Sequence, residues 1–315
     1  MACEDAVIAT NDDAAQCKRF AVEKGYWTDP YISQIIPKGF STHAPEINRG
    51  YFARVRSIQI LMEKFLKSTQ CNCQIVNLGA GFDTTYWKLK DAALSPKSFV
   101  EVDFPPVTSR KCHFIKTKKA LIEKISSEDD EIMVSKTEMH AADYHIVAAN
   151  LKNIPELEKK LVTECKLDKD LPTLFLAECV LVYIETERSQ QLIRWISDTF
   201  NTAFFINYEQ VNMMDRFGQV MMDNLKTRDC YLHGVSACAS LDTQMKRFTS
   251  NGWTSADALE ISTVYNCLPQ AEIQRIERIE MMDERELMHQ LFSHYCLTWA
   301  YRDLKDVGLA QIGLT

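Results

Sequence analysis

Two hydrophobic periods alternate along this chain. In "PEINRGYFARVRSIQILMEKFLK" the apolar residues Ile47, Tyr51, Val55, Ile58, Met62 and Phe65 recur at helical spacing. From Gln74 onward the pattern shortens. "QIVNL", "SFVEVD", "YHIVAANL", "PTLFLAE" and "AFFINYE" are β-rich apolar runs, and 84–94, 105–119, 155–165 and 186–200 between them are helical in spacing. Such alternation predicts βαβ units, an α/β fold with a mostly parallel sheet covered on both faces. "TLFLA" is apolar without a break, as a doubly buried strand requires. Further on, "DTQMKRFTSNGWTSADALEIS" reads as a helix, a turn at Asn251-Gly252 and a strand. "HYCLTWAYR", with Tyr295, Leu297, Trp299 and Tyr301 at period two, reads as the last strand.

The chain divides accordingly. Residues 1–16 read as a disordered acidic start, 17–70 as a helical cap and 71–210 as the ligand-binding core. Residues 211–250 read as a helical lid between the fifth and sixth strands, and 251–315 as strands that complete the sheet. The charge run "SSEDDE" (126–131) reads as a solvated loop.

Composition narrows the function. A formal net charge of −7 disfavours a nucleic-acid or anionic-membrane surface. No apolar run approaches a membrane span, and the first 20 residues lack the basic-then-apolar order of a signal peptide. The 11 cysteines are scattered and odd in number, which predicts reduced thiols and a cytoplasmic or nuclear setting. "CNC" (Cys71, Cys73) has no second ligand cluster at zinc-finger spacing, so no metal is expected.

Candidate chemistry begins at "QIVNLGAGFDTTYWKL", where a strand ends in Gly79-Ala80-Gly81 and a helix follows. A nicotinamide-dinucleotide turn needs a small third residue, where this chain has Thr84 beside Asp83. A diphosphate also wants a bare helix N-terminus, and an acid there repels it. The turn therefore suits a nucleoside without phosphate, such as S-adenosylmethionine. In an open parallel sheet, ligands lie beyond the carboxyl ends of the strands. The residues ending strands two to four are Asp103, Asn150-Leu151 and Glu178. Asp103 fits a ribose diol, or else caps the helix begun by Pro105-Pro106. Asn150 can likewise cap a turn. Glu178, set among apolar residues, needs a partner, for which an α-ammonium group is one candidate. Arg54 flanks the stripe of the upstream helix. It either pairs with a protein carboxylate or clamps a ligand carboxylate. Lys18 and Arg19 are solvated unless the N-terminal segment folds back over the site.

The blocks "CKRFA", "GYWTDPYI", "APEINRGYFARV", "CQIVNLGAGFDTTYW", "EVDFP", "LPTLFLAECVLVYI" and "FINYEQVNMMDRFGQ" closely resemble the leucine carboxyl methyltransferase family, from about Cys17 to the last strand. The resemblance implies a class I S-adenosylmethionine-dependent methyltransferase: a Rossmann-like, mostly parallel seven-stranded sheet with added N-terminal helices and a helical lid insertion. It implies S-adenosylmethionine as methyl donor and S-adenosylhomocysteine as product. The acceptor would be the C-terminal leucine carboxylate of the protein phosphatase 2A catalytic subunit, and the enzyme is expected to be a monomer. Carried over by motif, Lys18 and Arg54 would contact the cofactor near the reacting carboxylate and position that anion. Gly79 and Gly81 would lie along the cofactor, Asp103 would hold the ribose, Asn150, beside Leu151 in the cofactor site, would offer a carbonyl to the adenine amino group, and Glu178 would line the pocket. The family has Asp where this chain has Asn150, which predicts weaker cofactor binding. In the lid, Met213, Met214 and Phe217 either belong to the core, as methionine at such spacing commonly does, or line an apolar slot for the leucine while Tyr208 and Arg216 face the tail. Competing readings are a carboxyl methyltransferase of the tRNA wybutosine type, which carries an added repeat domain, a nicotinamide-dependent oxidoreductase, and a non-catalytic scaffold.

Overall fold

Alternate side chains of each central strand enter opposite cores. Ile75, Phe99, Leu174, Leu176, Phe204 and Ile206 join one hydrophobic cluster. Val76, Leu78, Val100, Val102, Phe175 and Phe205 join the other. Both faces are therefore covered, which explains why these runs carry no polar alternation.

The computed structural model describes residues 2–39, 42–126, 131–283 and 285–314. Three helices come first: α1 (Ala2–Lys24), α2 (Ile32–Ile35) and α3 (Pro45–Ser68). The first half of the sheet follows as β1 (Gln74–Leu78), α4 (Thr85–Asp91), β2 (Ser98–Asp103), α5 (Pro105–Thr117), α6 (Lys119–Ile125), β3 (Met133–Val134), β4 (Met139–His140) and β5 (Tyr144–Ala148). Then come α7 (Ile154–Glu158), β6 (Thr173–Glu178), α8 (Thr186–Thr199), β7 (Thr202–Gln210), α9 (Arg216–Lys226), α10 (Leu241–Thr249) and β8 (Ser255–Glu260). The chain closes with α11 (Ile261–Cys267), α12 (Gln270–Glu277), α13 (Arg285–Ser293) and β9 (Tyr295–Asp303).

The described strands form one sheet in the order β3-β4-β5-β2-β1-β6-β7-β9-β8. It has nine strands and not seven, because the two-residue β3 and β4 add an antiparallel edge beside β5. β5, β2, β1, β6 and β7 are parallel. From β1 the chain builds outward to β2 and β5 on one side, and β6 and β7 fill the other. The gap beyond the carboxyl ends of β1 and β6 is thus a topological switch point.

Three expectations need correction. Residues 2–16 are not disordered but form the first half of α1. The buried surface of this helix comes from small residues such as Ala15 and Ala21, which gave little hydrophobic signal. Polar contacts hold the rest: Asp12 pairs with Arg110 at 2.8 Å and Asp13 with Arg228. Secondly, α10 is not lid, since its Phe248 is wholly buried in the sheet core. Thirdly, the C-terminal region holds three helices, α11 to α13, besides β8 and β9. Most of the charge run, 127–130, lies outside the described residues. Among the described residues, no helix is long and apolar enough to cross a membrane. Among the described residues no disulfide links the cysteines.

One buried ion pair fixes the segment after β6. Glu209 on β7 accepts from the Val182 amide at 2.5 Å and from Arg247 of α10. Arg247 also donates to Ser189 Oγ at 2.9 Å. Both members are almost fully buried. Glu209→Ala strands a buried guanidinium, and about 3–5 kcal/mol of stability should be lost in denaturant unfolding. Adding Arg247→Met to Glu209→Ala should recover part of that loss.

Candidate functional site

A cleft of about 820 Å³ opens at the switch point, lined by α1, α3, the Gly79–Thr84 turn, the ends of β2, β5 and β6, and α9. That size suits a nucleoside-bearing ligand with part of a second molecule.

The turn after β1 forms one wall. Gly79 and Gly81 have φ of +64° and +52°, the left-handed region where a side chain is strained. A Cβ on Gly79 would lie 2.6 Å from Val180 Cγ2, and one on Gly81 would strike Asn11 of α1. The amides of the turn are already engaged. Gly79 and Ala80 donate to Val102 O at 2.8 and 3.1 Å. Gly81 donates to Asp103 Oδ2 at 2.7 Å, Phe82 to Asn11 Oδ1 at 3.0 Å, and Asp83 to Ala80 O at 3.1 Å. Five successive N–H groups are therefore taken, and none of the five is left for a diphosphate. Asp83 accepts from the Thr85 amide, the first of the next helix, at 2.7 Å. Thr84, at the position where a dinucleotide turn needs a small residue, is buried with its hydroxyl on Asp29 at 2.5 Å. This geometry disfavours the nicotinamide reading.

Asp103 both holds the turn and faces the cleft. Its other oxygen accepts from the Phe104 amide at 2.7 Å, so each oxygen keeps a lone pair for a ligand. Burial pushes its carboxyl up, opposed by those two amide bonds. Asn150 acts partly as a turn cap: Oδ1 accepts from the Lys152 amide at 3.0 Å, while Nδ2 meets Glu4 of α1 at 3.2 Å. Leu151 lines the cleft beside it.

At the end of β6, Glu178 meets two cations from two helices. Lys18 of α1 lies 2.8 Å from Oε1, and Arg54 of α3 donates Nε to the same oxygen. Burial would raise this carboxyl, but Arg54 and Lys18 outweigh it and hold it down to about 2. Glu178 thus finds its partners within the protein, and Arg54 does pair with a protein carboxylate. Lys18 is brought here because α1 folds back over the site. The Arg54 guanidinium is held between the rings of Tyr51 and Tyr208, 5.3 and 4.9 Å from their centroids. Tyr208 in turn stacks on Tyr295 at 5.6 Å. The trio Lys18, Arg54 and Glu178 carries one surplus positive charge.

The lid residues divide differently from expectation. Phe217 lines the cleft from α9, stacked at 4.3 Å on His294. Met213 does not line it, being buried with Val182, Leu232 and Cys238 beneath the lid. Met214 is 73% exposed on the outside, and Arg216 is exposed too. The cause is the Asp215 cap: it accepts from the Gly218 amide at 2.9 Å and starts α9 at Arg216, so the residues before it are not on the helical face. The apolar wall is instead Phe217, Val220, Met221 and Leu225, spaced three, one and four apart. Tyr208 backs Arg54 and does not line the cleft. Other cleft residues went unpredicted: Val7, Asn11 and Ala14 of α1, and Tyr183, Arg228 and Tyr295. Positions 7, 11, 14 and 18 follow one helical face, but with Asn11 and Lys18 among them that face carries little apolar signal.

The chain matches the family described as leucine carboxyl methyltransferase over residues 6–197. It is 48% identical over 311 residues to leucine carboxyl methyltransferase 1 of Rattus norvegicus, covering 98% of this chain and 93% of that protein. The leucine carboxyl methyltransferase 1 of Caenorhabditis elegans is 41% identical over 302 residues, 93% of this chain and 90% of its own length. The tRNA wybutosine-synthesizing protein 4 of Homo sapiens is 36% identical over 304 residues, which are 94% of this chain but only 44% of that protein. Among solved structures, a methyltransferase from Thermobifida fusca superposes with a TM-score of 0.52 at 10% identity over 86% of this chain and 92% of its own. A geranyl diphosphate methyltransferase solved with GPP and sinefungin gives 0.50 at 11% identity over 96% and 100%. At such identity these two establish a shared fold. With the family match covering both N-terminal cations, the glycine turn and the carboxylates of β2 and β6, the chain belongs to the leucine carboxyl methyltransferase family and is an S-adenosylmethionine-dependent carboxyl methyltransferase.

Proposed function

We propose that this protein methylates the α-carboxylate of the C-terminal leucine of a protein phosphatase 2A catalytic subunit in the cytoplasm, as a monomer. The observation that carries this reading is the charge balance at the floor of the cleft. Lys18 and Arg54 share one oxygen of Glu178, leaving one positive charge for a second carboxylate. Glu178 takes only the Nε donor of Arg54, and a guanidinium has four more N–H groups. The adjacent wall of Phe217, Val220, Met221 and Leu225 suits a branched aliphatic side chain.

Asp103, the Gly79–Gly81 turn, Asn150 and Leu151 are the residues that would hold the cofactor. Their donor set fits a nucleoside: acceptor oxygens are offered, and the turn amides are spent. S-adenosylmethionine, when bound, supplies an electrophilic methyl group on a sulfonium. What remains for the chain is to orient an anion and keep water from it. A C-terminal carboxylate is already ionised at neutral pH, so no general base is required. The nearby phenols are poor bases for this role, since burial raises Tyr295 to about 12 and pushes Tyr208 up as well.

Incubation with tritiated S-adenosylmethionine and purified phosphatase 2A should give a base-labile label, as a methyl ester must. A label stable to base would overturn the reading. Asp103→Ala should weaken S-adenosylhomocysteine binding by about 1–3 kcal/mol in calorimetry. An unchanged affinity would assign Asp103 to the turn alone. Arg54→Ala should cut methyl transfer far more than it cuts thermal stability. Arg54→Lys should restore little, because a point charge reproduces neither the fork nor the stacking between Tyr51 and Tyr208.

A short peptide tail brings one leucine into the slot, a contact of about 2–3 kcal/mol. Selective binding needs a further surface. Met214 (73% exposed) and Tyr231 (41%) stand outside the cleft, before and after α9. The isolated C-terminal peptide should therefore be a very poor substrate and the intact phosphatase a good one. Comparable kcat/KM for the two would place all recognition in the tail.

A further inference from the structure

We propose that His140, His145 and Cys165 form a zinc-binding site on the sheet edge away from the cleft. His140 of β4 and His145 of β5 are direct cross-strand partners. Their Nδ1 atoms lie 3.2 Å apart, with ring centroids at 5.3 Å. Cys165 follows the π-helical turn Lys159–Glu164 and precedes Lys166, whose φ is +55°. A π turn rotates the residues after it by about 100° relative to a continuous α-helix, and such turns gather at functional sites. The ligand atoms of the three residues all lie within 4.8 Å of one another.

These distances suit a tetrahedral ion. Zinc bonds of about 2.0–2.1 Å to nitrogen and 2.3 Å to sulfur set neighbouring ligand atoms about 3.3–3.6 Å apart. The two nitrogens already stand at such an edge. The thiol, only 5% exposed, has about 1 Å at most to close. Two imidazoles and a thiolate favour zinc over magnesium or calcium, which take oxygen ligands. A plain N–H···N bond between the histidines accounts for their contact, but not for a buried thiol turned toward both. On binding, the Cys165 thiol releases its proton to solvent. Each imidazole gives its Nδ1 lone pair and keeps its proton on Nε2, and water takes the fourth position. Glu138, held by Lys160 at 2.8 Å, lies close enough to offset the charge of the ion. The ion would staple the short β3–β4–β5 edge to the segment behind it, guarding an edge that is otherwise open. The ligands come from three elements, at 140, 145 and 165, so no short spacing in the sequence announces them.

Chelator-stripped protein titrated with Zn²⁺, with metal counted by elemental analysis, should bind one ion per chain and gain thermal stability. Co²⁺ should bind at the same site and give a thiolate-to-cobalt absorption band. Cys165→Ser and His145→Gln should each weaken Zn²⁺ binding at least about tenfold, and Cys165→Ser should abolish the band. Cys71→Ser should change neither. His140→Gln, at a partly exposed position, repeats the test if a buried replacement misfolds, and the metal-free melting point of each variant reports folding. Substoichiometric zinc, or one ion that folded Cys165→Ser binds as wild type does, would overturn the site.

Discussion

A carboxylate at the end of a doubly buried strand is the constraint around which this molecule is arranged. Glu178 closes β6 between apolar neighbours, where an unpaired charge is costly. Two cations answer it, and neither comes from the sheet. Lys18 reaches it from α1 and Arg54 from α3, so the helical cap and the sheet are tied at one oxygen atom. Arg54 is further wedged between Tyr51 of its own helix and Tyr208 of β7. The contacts that close the cleft from above therefore also set its charge. Docking α1 and α3 on the sheet is what brings both cations to this carboxylate.

The opposite wall of the cleft follows from hydrogen-bond saturation. A glycine turn at a helix N-terminus ordinarily offers bare amides. Here Asp103 and Asn11 consume two of them, backbone carbonyls three more, and Asp83 accepts from the first amide of the helix that follows. Asn11 belongs to α1, so the helix that supplies Lys18 also occupies the turn. What remains exposed to a ligand is acceptor oxygen, which selects hydroxyl and amino groups and repels phosphate.

How much of this was legible in the sequence depended on period. The core strands could be read because both of their faces are buried, which gives unbroken apolar runs whose ends fall at Asp103 and Glu178. Once the sheet was inferred, strand-end chemistry placed Gly79, Gly81, Asp103, Asn150, Leu151 and Glu178 around one cleft, as the structure does. Residues 2–16 could not be read, because a helix buried through alanines and held by ion pairs looks like a polar tail until its partners are known. The lid failed for a different reason. Met213, Met214, Arg216 and Phe217 are consecutive enough to suggest one surface, but the cap at Asp215 splits them among core, solvent and cleft. Tertiary contacts decide such positions, and local spacing does not record them.

The shared oxygen also bears on catalysis. A carboxylate acceptor gripped by an otherwise unpaired arginine would be a stable ground state and a poor nucleophile, and tight binding of that kind lowers KM without raising kcat. Arg54 is not unpaired. Glu178 draws on the same guanidinium, and the field an acceptor meets is that of two cations less one anion. On the proposed function, such a site would hold the acceptor anion by geometry, through the remaining N–H groups of a guanidinium set between two rings, more than by charge. The carboxylate held low at about 2 keeps this balance across the whole physiological range, because Glu178 does not protonate there. On the proposed function, transfer to an oxygen anion requires orientation without neutralisation, and Glu178 would supply it by staying ionised.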